Sequence, residues 1–151
     1  MSVARQELTG LLREEAEALA ESLGQPRYRG RQLFRWVQAR RVRDLARMSD
    51  LARGFREELE GRVSIVRPAT ARLQRAADGT RKFLLRLGDG EEIESVLIPD
   101  AERLTACIST QVGCPLACRF CLTGLMGIRR NLDAAEIVGE FLALQDALAE
   151  G

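Results

Sequence analysis

Residues 104–121, LTACISTQVGCPLACRFC, decide how this chain is read. The first seven, LTACIST at 104–110, have the character of a strand. They lead into a loop with Cys114, Cys118 and Cys121, and with Cys107 these are all four cysteines of the chain. After the loop, NLDAAEIVGEFLALQDALAEG at 131–151 carries the start signals of a helix. Asp133 is placed as N-cap, Glu136 three residues later completes a capping box, and Leu132 with Ile137 makes a hydrophobic staple. Strand, loop and helix form the first unit of an α/β repeat. One such unit cannot close a sheet or a barrel, and no second parallel strand is expected before Gly151. The chain therefore reads as the N-terminal piece of something longer.

Upstream, residues 63–100 show period-two alternation, with Phe83, Leu85 and Leu87 on one face of TRKFLLRL. Asp78-Gly79 is a hairpin signal and GDG at 88–90 a second turn. These features predict an antiparallel meander of about three strands, broken at Pro99 and Asp100. Residues 1–62 read as helical. LLREEAEALAESLG places Leu12, Ala16, Leu19 and Leu23 at helical spacing, with Gly24 as stop. In YRGRQLFRWVQAR, Leu33, Phe34 and Val37 share one face, while Arg31, Arg35 and Gln38 share the other. A third helix is expected from Ser49, with Leu51, Phe55 and Leu59 inward and Gly61 near its end. The predicted fold class is α/β in three parts: helical (1–62), antiparallel β (63–100) and a strand–loop–helix unit (101–151).

A composition of 46% hydrophobic and 30% charged residues over 151 positions is that of a globular chain. No apolar run is long enough for a membrane span, the N-terminus has no signal-peptide h-region, and a cytoplasmic location with no membrane partner is expected. The formal net charge of +1 conceals unevenness. Residues 1–24 sum to −3, residues 25–56 to +8 and residues 57–151 to −4. Arg27, Arg29, Arg31, Arg35, Arg40, Arg41 and Arg43, with Tyr28 and Trp36 among them, are candidates for RNA phosphate contact. The competing reading is a solvated helix face.

In a reducing cytosol, clustered cysteines more often hold metal or do redox chemistry than form structural disulfides. Cys114, Cys118 and Cys121 are spaced C-x3-C-x2-C. Three thiolates on one short loop suit one face of a cubic [4Fe–4S] cluster and leave its fourth iron open to a small molecule. The competing reading is a zinc site with Cys107 as fourth ligand. Its spacing is awkward for paired knuckles, and the chain has no histidine. Taken alone, Cys107 also fits a buried strand cysteine, and Glu94 a solvated strand face.

CPLACRFC, with Phe120 before its last cysteine, is similar to the cluster motif of the radical S-adenosylmethionine (SAM) enzymes. With DGTRKFLLRLGDGEEIESVLIPD before it and RNLDAAEIVGE after it, the chain closely resembles the radical-SAM RNA methyltransferases that methylate carbon 2 of adenine in 23S ribosomal RNA and certain transfer RNAs. GQPRYRGRQLFRWV resembles that family's helical accessory domain, and the resemblance implies that residues 1–62 are that RNA-binding domain, 63–100 a small antiparallel β extension and 101–151 the start of a truncated radical-SAM barrel. The resemblance implies that Cys114, Cys118 and Cys121 ligate a [4Fe–4S] cluster whose open iron binds SAM. It also implies reductive cleavage of SAM to an adenosyl radical, which suits an electron-poor carbon that is no nucleophile. Cys107 matches a family cysteine that resolves a protein–RNA crosslink through a transient disulfide, and Glu94 a carboxylate proposed as proton acceptor. The family's methyl-carrying cysteine has no counterpart after Cys121, so this polypeptide is expected to be inactive alone. An electron donor such as flavodoxin and a monomeric state are further expectations. Related enzymes that methylate carbon 8 of the same adenine, and a non-catalytic zinc-containing RNA-binding module, are the alternatives.

Overall fold

The structure is a computed structural model and describes residues 5–149. The chain divides into two compact units, residues 1–66 and residues 67–151.

The first unit begins with a two-residue strand β1 (Gln6–Glu7) and is mainly helical: α1 (Arg13–Ser22), α2 (Arg27–Gln38), a 3-10 turn (Leu45–Arg47) and α3 (Arg53–Leu59). It ends in β2 (Val63–Ser64), which pairs with β1 in parallel. Gly24, with φ +70, stops α1 as expected. Leu33, Trp36, Val37, Met48, Leu51, Phe55 and Leu59 form the core, with Leu19 and Leu23 packed against it.

Three expectations change in this unit. Leu12 precedes α1 and is 65% exposed, whereas Ala16 faces inward as expected and Ala20 joins it. The third helix opens at Arg53 rather than Ser49, although Leu51 is still buried. Sequence reading missed the β1–β2 pair, because two residues carry no periodicity. Glu7 holds that pair together: its carboxylate accepts from Val66 N–H at 2.9 Å and from Ser64 Oγ at 2.6 Å.

Gly30 marks where α2 crosses α1. A Cβ there would stand 2.3 Å from the Ala16 carbonyl oxygen and 2.4 Å from the Glu17 Cα. Gly30→Ala must push two helix backbones apart, and overpacking of this kind costs about 1–3 kcal/mol. Denaturation followed by the fluorescence of Trp36, the chain's one tryptophan, is expected to show that loss. An unchanged midpoint would mean the helices do not cross there.

In the second unit, β3 (Ala69–Arg75), β4 (Arg81–Arg86), β5 (Glu92–Asp100) and β6 (Arg103–Cys107) form an antiparallel meander in sequential order. Then come β7 (Gln111–Gly113), a short α4 (Leu122–Leu125), β8 (Ile128–Asn131) and α5 (Ala134–Ala149). β7 and β8 pair antiparallel. Phe83, Leu85, Ile93 and Leu97 on one sheet face pack with Val112, Leu132 and Leu144. Both predicted turns are present: Asp78 accepts from Thr80 N–H at 2.9 Å, Asp89 accepts from Glu91 N–H at 3.0 Å, and the glycine after each has positive φ. The capping box of α5 is also present. Asp133 Oδ1 accepts from Glu136 N–H at 2.8 Å, and Glu136 Oε2 accepts from Asp133 N–H at 3.0 Å.

The three meander strands expected over 63–100 are present as β3, β4 and β5, and the strand expected over 104–110 joins the same sheet as β6. Pro99 does not break β5, because β4 stops opposite Leu97 and leaves the end of β5 paired only to β6. A proline is tolerated where the ladder has one open side. The strand expected over 104–110 ends at Cys107, and among the described residues no strand of this unit pairs in parallel. Residues 108–110 serve a different purpose, as a connection pinned by hydrogen bonds.

Candidate functional site

β5 and β6 place the first two candidate residues. Cys107 lies opposite Val96 in register, and Glu94 is two residues from Val96 along β5. Side chains alternate along a strand, so Cys107 and Glu94 share the sheet face turned away from Phe83, Leu85 and Ile93. Diagonal neighbours of this kind stand roughly 7–8 Å apart. Cys107 is an exposed free thiol, which removes the buried-cysteine reading. Glu94 is half exposed and is paired at 2.7 Å with the ammonium of Lys82, on the same face of β4.

A buried carboxyl lies behind this face. Glu140 of α5 has no exposed surface. Its Oε1 accepts from Ser95 Oγ at 2.5 Å and from Ser109 N–H at 2.8 Å. Ser109 Oγ in turn donates to the Glu94 carbonyl at 2.8 Å. One carboxyl thus ties α5 to the strand that carries Glu94 and to the connection that follows Cys107. Burial pushes the Glu140 carboxyl above its ordinary value, against the pull of the Ser95 and Ser109 hydrogen bonds. Oε1 accepts both bonds, and Oε2 is buried with no hydrogen-bond partner among the described residues. Sequence reading missed Glu140. The available signal was an acid within the apolar run IVGEFLAL, on the helix face of Ile137 and Leu144.

The cysteine loop runs from β7 to α4. Its mouth is closed by Cys114 N–H donating to the Gly127 carbonyl at 3.1 Å, and its far end turns back through Cys121 N–H donating to the Cys118 carbonyl at 3.1 Å. Two glycines make this closure possible. Gly113 has φ +78, and a Cβ on it would fall 1.9 Å from the Gly127 oxygen. A Cβ on Gly124 would fall 2.9 Å from the Cys118 nitrogen. Cys114, Cys118 and Cys121 are free, half-buried thiols. Three soft donors on a pinned loop fit an iron–sulfur cluster in chemistry and in chain reach. Among the described residues, however, no three His, Cys, Asp or Glu side chains stand close enough together to hold an ion. Beyond the loop, Arg130 of β8 reaches Asp89 at 2.6 Å and Glu136 at 2.7 Å, anchoring the exit of the loop to a strand turn and to α5. The Arg130 guanidinium holds the Glu136 carboxyl below its usual range.

The arginines of the first unit are largely engaged within it. Arg27 and Arg31 reach Glu17 on α1 at 2.7 and 3.4 Å and hold its carboxyl below the usual range. Arg29 donates to the Asp50 carbonyl at 2.7 Å and lies over Tyr28, and Arg40 stacks 4.0 Å over the Trp36 ring. Arg35 is exposed on α2, and Arg41 is half-buried with φ 53. Among the described residues no helix is long and apolar enough to cross a membrane.

Residues 6–65 match the family described as ribosomal RNA large subunit methyltransferase N-terminal domain. The probable dual-specificity RNA methyltransferase RlmN of Moorella thermoacetica is 52% identical over 97% of this chain and 43% of its own length. That of Heliobacterium modesticaldum is 51% identical over 90% of this chain and 37% of its own length. The chain therefore spans about two-fifths of the curated relatives it matches. The crystal structure of a radical SAM methyltransferase from Sphaerobacter thermophilus superposes with a TM-score of 0.85 at 38% identity, covering 96% of this chain and 43% of that one. Residues 6–65 thus match the ribosomal RNA large subunit methyltransferase N-terminal domain, and the chain as a whole resembles part of the dual-specificity RNA methyltransferases in sequence and part of a radical SAM methyltransferase in fold.

Proposed function

We propose that this chain is the N-terminal part of a radical-SAM methyltransferase that methylates carbon 2 of adenine in 23S ribosomal RNA and transfer RNA. Residues 1–62 form its accessory RNA-binding domain, residues 63–100 its β extension and residues 101–151 the start of its barrel. The observation that carries this reading is the pinned loop presenting three cysteines at C-x3-C-x2-C.

Cys114, Cys118 and Cys121 are the residues that hold a [4Fe–4S] cluster. With SAM bound, such a cluster would supply the one-electron chemistry needed to functionalise an electron-poor carbon. Glu94 accepts a proton on the exposed sheet face, and Lys82 keeps its carboxylate paired until then. Cys107 on the same face would resolve the crosslink: its thiolate attacks the partner cysteine's sulfur, an S–S bond forms, and the bond from that sulfur to the RNA-bound carbon breaks with its electron pair leaving on carbon. Its partner cysteine and an electron donor of the flavodoxin type come from outside these residues. α2 contributes phosphate contacts through Arg27, Arg29, Arg31 and Arg35, and the turn after it through Arg40 and Arg41. A cytoplasmic monomer is consistent with the chemistry.

Separate single-cysteine variants test the division of three plus one. After anaerobic loading with iron and sulfide, Cys107→Ala is expected to retain about four irons per chain, while Cys118→Ala falls below about one. Equal loss in both variants would assign Cys107 to the metal site and overturn its separate role.

A further inference from the structure

Among the basic residues of the second unit, one group has no acid to meet. Residues 67–86 contain six basic side chains and Asp78 as their one acid. Summing charge over 57–151 hides this, because acids elsewhere in that block outweigh it. Arg67 is buried against Asp146 at 3.6 Å, Lys82 pairs with Glu94 and Arg86 with Glu92. Arg72, Arg75 and Arg81 have no acidic partner among the described residues. Asp78 cannot serve them, since its carboxylate is turned into the hairpin and accepts from Thr80 N–H.

The register adds to this. Arg75 stands directly opposite Arg81 across the β3–β4 ladder. Like charges facing each other across strands are destabilising, so the pair weakens the hairpin unless an anion lies against it. β3 is the outer strand of the sheet, and each of its residues is exposed. Arg72 faces Leu84, and Leu84 faces Glu94, so Arg72, Leu84 and Glu94 form one row across three strands on the face that also carries Cys107. At the spacing of adjacent strands, the Arg72 and Glu94 backbones are about 10 Å apart. That is close to one or two nucleotides along an RNA backbone.

We propose that the β3–β4 hairpin is a second RNA contact, in which Arg72, on the face of Glu94 and Cys107, binds a phosphate flanking the presented adenine, while Arg75 and Arg81, on the opposite face by strand alternation, bind the RNA backbone where it passes the hairpin edge. The contact rests on the RNA-modifying reading above. Arginine suits it, because its planar fork meets phosphate oxygens in pairs and survives where a base must be held unstacked. Arg75 and Arg81 grip at the tip of the hairpin, and Arg72 leads the backbone onto the reactive face.

The test is binding of a single-stranded ribosomal RNA fragment containing the target adenine, measured with this chain at several salt concentrations. Arg72→Gln, Arg75→Gln and Arg81→Gln are combined in one variant. These side chains are exposed or half-exposed and have no acidic partners, so folding should persist, and an unchanged circular dichroism spectrum checks it. Affinity near 0.1 M salt is expected to fall roughly ten- to hundred-fold, and the slope of log K against log salt to flatten by about two. The corresponding triple lysine variant is expected to recover most of the affinity. If affinity and slope stay unchanged while Arg31→Glu with Arg35→Glu weakens binding, the hairpin contact is overturned and the RNA reading stands. If the unmodified chain shows no salt-dependent RNA binding, both are overturned. If heparin and an acidic peptide bind as well as RNA, and equally depend on the three arginines, the hairpin is a general anion surface and the proposal fails.

Discussion

Gly113→Ala is expected to abolish iron loading and to destabilise the second unit by about 2–5 kcal/mol. The residue sits at φ +78, where a side chain costs about 1–2 kcal/mol. Its Cβ would also stand 1.9 Å from the Gly127 carbonyl oxygen, the acceptor of the Cys114 N–H bond, so overpacking adds about 1–3 kcal/mol. Relief requires Gly127 to retreat, and that opens the mouth of the cysteine loop and the end of the β7–β8 ladder. Cys114 then loses its fixed place relative to Cys118 and Cys121. Iron content after anaerobic loading and the thermal transition of the second unit are the measurements. A variant that loads iron normally would show that the loop needs no closed mouth.

The second large effect falls on Glu140. Glu140→Ala leaves the Ser95 hydroxyl and the Ser109 N–H without an acceptor, at about 1–3 kcal/mol each, and opens a cavity besides. Glu140→Gln keeps an acceptor in place and is expected to retain most of the stability. The two also differ in pH response. Burial raises the folded carboxyl above its ordinary value of 4.5, so the folded state holds its proton more tightly than the unfolded state. The stability it contributes is therefore full below about pH 4.5 and declines as pH rises through the folded value. The charged groups nearby do not reverse this. Glu136 one turn earlier is engaged by Arg130, and Glu94 points from the other sheet face toward Lys82. Urea denaturation from pH 4.5 upward should show that decline in the parent chain and a flatter profile in Glu140→Gln. Identical profiles would place a charged Glu140 in the folded state.

How much of this was legible depended on how local the signal was. The Asp133–Glu136 box, the two glycine turns and the C-x3-C-x2-C spacing depend on residues close in sequence, and the structure builds the box and turns as written. The strand over 104–110 was misjudged at its end. LTACIST is uniform in character, whereas its stop at Cys107 is set by Ser109 bonding to Glu94 and Glu140, from 15 and 31 residues away. Glu140 was missed for the same reason: its place within an apolar run was visible, but an acid on a helix looks solvated until its partners are known. Gly30 and Gly113 were likewise silent, because close approach of two backbones leaves no trace in composition. The basic stretch 25–56 was plain as a charge sum, but the structure commits Arg27 and Arg31 to Glu17 and lays Arg40 over Trp36. The unpaired arginines of the hairpin were lost in a block that summed to −4.

The central claim is that Cys114, Cys118 and Cys121 hold an iron–sulfur cluster with one open iron. Anaerobic reconstitution of the chain with iron, sulfide and zinc in competition, followed by metal and acid-labile sulfide analysis, addresses it most directly. About four irons and four sulfides per chain, with brown colour and broad visible absorption, is the expected result. One zinc per chain, no labile sulfide and no iron uptake would contradict it and leave a zinc-binding RNA module in its place.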